Sequence, residues 1–120
     1  MNHFFDTYAL IEIVKINKSY EQYANCLIIT TTLNLSEFYF YLLSNLKENE
    51  ADEILKKFNF SFLEVTESVA KEAAKFRKEN YKRKLSYIDC IGYIISKNMG
   101  FKFLTGEEFF QDMSNVEFVK

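Results

Sequence analysis

The feature that most constrains this chain is a repeated switch in hydrophobic period. Short apolar runs built from aromatic and β-branched residues occur at His3 to Phe5, Leu27 to Thr31, Phe60 to Val65, Phe101 to Leu104 and Val116 to Val119. Such runs read as strands. Between them apolar residues recur at helical spacing: Leu35, Phe38, Tyr39, Leu42, Leu43 and Leu46, then Val69, Ala73 and Phe76, then Ile88, Ile91, Gly92 and Ile95. This alternation predicts an α/β fold of three layers, α/β/α, whose mainly parallel sheet of about five strands is covered on both faces. In that class, ligands bind at one edge, outside the carboxyl ends of the strands. Proline is absent and only three glycines are present, so boundaries must come from helix caps and from the changes of period.

Residues 1–120 are expected to form a single domain. A chain of this length buries roughly two-thirds of the surface it exposes when unfolded, and 48% hydrophobic residues against 27% charged is a globular balance. No apolar run approaches the ~18 residues of a membrane span. The first dozen residues lack the basic start of a signal peptide. The expected location is therefore cytoplasmic, without a membrane partner. Cys26 and Cys90, both among apolar neighbours, are expected to be reduced core residues, and with one histidine in the chain they do not complete a four-ligand zinc site. The charged stretch Lys47 to Lys57 reads as a solvated helix surface.

Four acids stand at the positions where this fold class binds ligands. Asp6 follows the first strand, Glu37 and Asp89 open helical segments, and Glu107 comes two residues after the Phe101 strand and Thr105. On helical wheels Glu37 shares a face with Phe40, Tyr41 and Ser44, and Asp89 shares one with Tyr93 and Ser96, which places both acids along the rim. Each also has a capping explanation: Asn34 to Glu37, Ser86 to Asp89 and Thr105 to Glu108 all fit an N-cap followed three residues later by an acid. Asp6 fits that explanation least well, because no helical N–H obviously awaits it. Four converging carboxylates would raise one another's pKa unless a cation neutralised them. Oxygen ligands without His or Cys suit magnesium or manganese.

Four segments carry a family resemblance: Phe4-Phe5-Asp6-Thr7-Tyr8-Ala9-Leu10, Asn34-Leu35-Ser36-Glu37, Leu85-Ser86-Tyr87-Ile88-Asp89-Cys90-Ile91-Gly92 and Phe103-Leu104-Thr105-Gly106-Glu107. In order and approximate spacing the chain resembles PIN-domain ribonucleases, and in particular the VapC-like toxins of prokaryotic toxin-antitoxin pairs, from residue 4 to about 119. The resemblance implies a PIN-like fold and a metal-dependent endoribonuclease with Asp6, Glu37, Asp89 and Glu107 as its catalytic acids. Asp6, Asp89 and Glu107 would hold Mg2+ or Mn2+, and Thr7 and Thr105 would supply the hydroxyls that keep the site in shape. The family's fourth position is usually Asp, often followed two residues later by another Asp; here those residues are Glu107 and Phe109. A hard cation makes a nucleophile of bound water, so no Ser, His or Cys nucleophile is required, and the lone His3 is expected to be a bystander.

A basic run lies just upstream of Asp89. Lys75, Arg77, Lys78, Lys82, Arg83 and Lys84 crowd into ten positions of a chain whose net charge is −2. Lys78, Lys82 and Arg83 are the expected phosphate contacts to RNA, although cations at the end of a helix can serve solvation alone. Phe38 and Tyr39 belong to the core stripe of their helix, whereas Phe40 and Tyr41 point to its other side, so that helix is either deeply buried or part of an interface. Together with the resemblance, this implies a homodimer and a neutralising protein antitoxin. The alternative keeps the fold and weakens the chemistry, leaving a module that binds RNA or protein. A phosphoacceptor signalling domain fits poorly, because Asp52 lies in a charged helical stretch and Asp6 has no adjacent acid.

Overall fold

The structure, a computed structural model, describes residues 2–120. Five short strands form one sheet: β1 His3–Phe5, β2 Ile28–Thr30, β3 Phe60–Phe62, β4 Lys102–Thr105 and β5 Val116–Phe118. All strand pairs are parallel, and the order across the sheet is β3-β2-β1-β4-β5. Five helices, α1 Thr7–Val14, α2 Thr32–Asn45, α3 Glu48–Lys56, α4 Glu67–Glu79 and α5 Tyr87–Met99, connect them, with short 3-10 segments at Lys18–Tyr23, Tyr81–Arg83 and Glu108–Phe110. The order reverses between β1 and β4, so a crevice opens beyond their carboxyl ends, where Asp6 follows β1 and Thr105 closes β4.

The period of two along the strands divides the core. Phe5 and Leu104 face α1, α2 and α3 together with Leu10, Phe38 and Leu42. Phe4 and Phe103 face α4 and α5 together with Ala73, Tyr93 and Ile95. The rings of Phe4 and Phe103 stack with centroids 5.9 Å apart. A Cβ on Gly92 would lie 2.9 Å from the Phe4 ring, so glycine lets α5 approach the sheet at that point. Gly100, at φ 71°, ends α5 in the left-handed conformation that glycine adopts without strain.

Strands and helices fall close to their expected places, with instructive exceptions. The hydrophobic period assigns no helix to residues 7–14, because Tyr8, Ala9, Leu10, Ile11, Ile13 and Val14 leave no polar face to set a stripe; Asp6 nevertheless caps a helix there. Leu43, counted with the core of its helix, is 43% exposed, since the buried line of α2 runs through Asn34, Phe38 and Leu42. Cys90 is buried as expected, whereas Cys26 is exposed in the turn before β2. His3 packs edge-on against Tyr23 and its Nε2 lies 2.9 Å from Glu117 Oε1, away from the four acids. Among the described residues no helix is long and apolar enough to cross a membrane.

Candidate active site

The most buried of the four acids is Asp6, which is 1% exposed. Its Oδ1 accepts the Thr7 N–H at 2.9 Å as the N-cap of α1, so a helical donor does await it, contrary to the expectation from sequence. Its Oδ2 accepts the Thr105 hydroxyl at 2.7 Å. Neither bond offsets the burial. Desolvation first, and then the nearby Asp89 carboxylate, push the Asp6 pKa up to about 8.

Glu37 proves not to be a capping acid. Helix α2 begins at Thr32, with Thr31 as its N-cap: the Thr31 hydroxyl oxygen accepts the Asn34 N–H at 3.2 Å and donates to Asn34 Oδ1 at 2.7 Å. Asn34, expected to be the cap, is instead buried in the first turn, and Glu37 lies almost a turn further on. Its Oε1 accepts the Thr7 hydroxyl at 2.6 Å, and that hydroxyl in turn accepts Asn34 Nδ2 at 3.0 Å. Thr7 thus joins the start of α1 to α2 through its side chain. Asn34, a residue missed as part of the site, fixes the direction of the Thr7 proton; its amide character amid an apolar stripe was the available signal. Partial burial raises the Glu37 pKa.

Asp89 has the capping box expected of it. Ser86 Oγ accepts the Asp89 N–H at 3.0 Å, and the Ser86 N–H donates to Asp89 Oδ2 at 3.2 Å. The residues supposed to share its rim face, Tyr93 and Ser96, are buried, because the middle of α5 is enclosed on all sides. Asp89 itself is half-buried at the cavity.

At the fourth position the Glu107 N–H donates to Thr105 Oγ1 at 3.1 Å. The Thr105 hydroxyl therefore serves Asp6 and the turn at once. Partial burial, then Asp89, raise the Glu107 pKa. The capping box expected at Glu108 does not form: the helix that follows is a three-residue 3-10 turn, and Glu108 Oε1 pairs with Lys120 Nζ at 2.9 Å. Gly106, between them, has no room for a side chain, since a Cβ would fall 2.2 Å from the Tyr8 ring and 2.6 Å from the Val119 carbonyl oxygen.

All four acids line one open cavity of about 1180 Å³. Among the described residues none of the four forms an ion pair. Asp6, Glu37 and Asp89 take their hydrogen bonds from hydroxyls and backbone N–H groups, and no three acidic, histidine or cysteine side chains are drawn into a ready-made cation cluster among the described residues. A hard, all-oxygen donor set that includes a buried acid without a cationic partner is what a divalent cation fits. The basic run divides. Arg83 lines the cavity, as does Lys84, which is not among the phosphate contacts expected from sequence; Lys78 and Lys82 are exposed outside it. Arg77 is structural, its Nε donating to the Leu85 carbonyl at 2.9 Å and its guanidinium lying 4.2 Å from the Tyr87 ring centroid.

A family model described as PIN domain matches residues 4–116. No curated protein sequence matches the chain significantly. Solved structures share its fold, among them the following three. A toxin-antitoxin complex from Klebsiella pneumoniae superposes with a TM-score of 0.73 at 17% identity, covering 98% of this chain and 96% of that one. VapBC2 from Rickettsia felis, bound to a DNA fragment from its promoter, gives 0.76 at 16% identity, with all of both chains covered. The sarcin-ricin loop cleaving toxin VapC20 of Mycobacterium tuberculosis gives 0.79 at 15% identity, covering 99% of this chain and 100% of that one.

Proposed function

Because the chain belongs to the PIN-domain family, we propose that it is a VapC-like endoribonuclease toxin that hydrolyses RNA phosphodiesters with the help of Mg2+ or Mn2+. The observation that carries this reading is the placement of Asp6, Glu37, Asp89 and Glu107 on the walls of one cavity beyond the β1 and β4 carboxyl ends. Asp6, Asp89 and Glu107 would hold the cation. When bound, a hard cation activates water and neutralises charge on the phosphoryl oxygens.

The residues of the chain have distinct tasks. Thr7 and Thr105 orient Asp6 and Glu37 before any ligand arrives, so little reorganisation accompanies the reaction. Glu37 holds the Thr7 proton at Oε1, leaving Oε2 to take a proton from the attacking water; its raised pKa favours that role. Arg83 and Lys84 attract the phosphates, with Lys78 and Lys82 as outer contacts. A protein antitoxin and a second copy of the chain complete the proposed partners. The exposed Leu33 and Leu43 of α2 supply apolar surface for such contacts.

The competing reading, a catalytically weakened module that binds RNA or protein, draws on Glu107 in place of Asp and on the lack of a preformed three-ligand cluster among the described residues. One experiment separates the two. Purified protein is incubated with assorted RNAs, with and without Mg2+ or Mn2+, beside the Asp6→Asn variant. Cleavage that requires the cation and is lost in the variant is expected; RNA left intact under every condition would favour the binding module.

A further inference from the structure

Phe40 is 74% exposed, an uncommon state for a phenylalanine that lines a cavity. It sits on α2 three residues after Glu37, and Ser36, Glu37, Tyr41 and Ser44 of that helix line the same cavity. Another wall is basic. Arg83 and Lys84 come from the segment between α4 and α5, and the Arg83 guanidinium rests 5.5 Å from the centroid of the Phe109 ring, itself part of the lining. Lys84 is held at φ 57°, a left-handed conformation for a residue other than glycine.

The exposed leucines of α2, Leu33 and Leu43, lie outside the cavity, and within it the Phe40 ring borders the Ser36 and Ser44 hydroxyls and the Glu37 carboxylate, whereas another protein's core prefers contiguous apolar surface. The ring suits the flat face of a nucleobase. Resting on the ribonuclease reading, we propose that Phe40 is a base-stacking platform: an unpaired nucleotide next to the scissile phosphate lays its base on the Phe40 ring while the adjoining backbone phosphates lie against Arg83 and Lys84. Ser36, exposed one turn before Phe40, is placed to meet a polar edge of that base. A paired base has both faces occupied by its neighbours in the helix, so this arrangement selects single-stranded or looped RNA over duplex.

The test measures binding in the presence of a chelator, so that cleavage plays no part. Fluorescence anisotropy follows a short labelled single-stranded oligoribonucleotide and a blunt duplex of the same length, over a range of salt. Phe40→Ala and Phe40→Leu should each weaken binding of the single strand by about tenfold, the usual scale for one lost base stack, with the salt slope unchanged. Phe40→Tyr should restore it, and the duplex should bind with the same affinity to all four proteins. Arg83→Gln with Lys84→Gln should instead flatten the salt slope. Equal single-strand affinity in wild type and Phe40→Ala would overturn the platform and leave the ribonuclease reading standing. Full binding by Phe40→Leu, or a change of oligomeric state in light scattering without a change in RNA affinity, would assign the ring to protein contact. Failure of the wild type to bind either RNA would overturn the reading on which the platform rests.

Discussion

The Thr105 hydroxyl donates a 2.7 Å hydrogen bond to Asp6 Oδ2 across the boundary between β4 and β1, with both residues buried. Neighbouring strands of a parallel sheet thus bring together residues 99 positions apart, and the first acid of the site is set by a side chain near the far end of the sequence. Because the same oxygen accepts the Glu107 N–H, Asp6 and the fourth acid share one anchor.

Replacing that anchor should therefore damage two positions together. Thr105→Val keeps the volume but leaves a buried carboxyl one donor short, which costs about 1 to 3 kcal/mol. Urea unfolding should register that loss, and cleavage should fall further than it does in Thr105→Ser, which retains the hydroxyl.

The raised pKa of Asp6 makes stability depend on pH with a definite sign. In the unfolded chain the carboxyl titrates near its ordinary value of 3.8; in the folded protein it holds its proton until about pH 8. Between these values the native state binds more protons, so stability is greatest below the lower pKa and declines as pH rises towards the upper one. The raised Glu37 and Glu107 act in the same direction. Thermal melts in chelator should show the melting temperature falling from about pH 5 to pH 8, and Asp6→Asn should flatten the fall. Added Mn2+, binding the native state alone, should raise the melting temperature most at the alkaline end. An unchanged slope in Asp6→Asn, or a shift with Mn2+ that persists in Asp89→Asn, would contradict the site.

Glu107 and Glu108 should separate by function. Glu107 lies at the cavity with its charge opposed by Asp89, so Glu107→Gln should lower cation-dependent cleavage while leaving stability equal or slightly higher. Glu108 also lines the cavity, but as the partner of an exposed ion pair with Lys120, and Glu108→Gln should change neither cleavage nor unfolding measurably. Equal cleavage in both variants would mean that three acids suffice.

Gly106→Ala should be destabilising for lack of space. The added methyl would meet the Tyr8 ring and the Val119 carbonyl, and relief requires moving either a cavity wall or the strand end. Overpacking of this kind costs about 1 to 3 kcal/mol, which denaturant unfolding would detect, and the displaced Tyr8 should lower cleavage as well.

Much of this was legible in the linear sequence, for reasons specific to the segments. Phe60 to Val65 and Phe101 to Leu104 show strands because aromatic residues alternate with polar ones there, and the Ser86 to Asp89 box is visible because a capping box is closed within four consecutive residues. Helix α1 was hidden, since its residues are apolar on nearly every side and its cap, Asp6, also ends a strand. The start of α2 was misplaced by three residues because both Thr31 and Asn34 are cap formers, and only packing decides which one lies inside the first turn.

Period and capping are local properties of the chain, and from them follow the strands, most of the helices, their alternation and therefore a parallel sheet with acids at its carboxyl edge. Tertiary structure decided everything that depends on which strand lies beside which. The order β3-β2-β1-β4-β5 sets Thr105 against Asp6, Thr7 at the start of α1 holds Glu37 of α2, and after β4 Glu107 faces the cavity without an ion pair while Glu108, on the same cavity, pairs with Lys120. Those relationships also fix the burial that lifts Asp6 far above the ordinary carboxylate range. Burial is a property of surroundings gathered from distant segments, and no local pattern of residues encodes it.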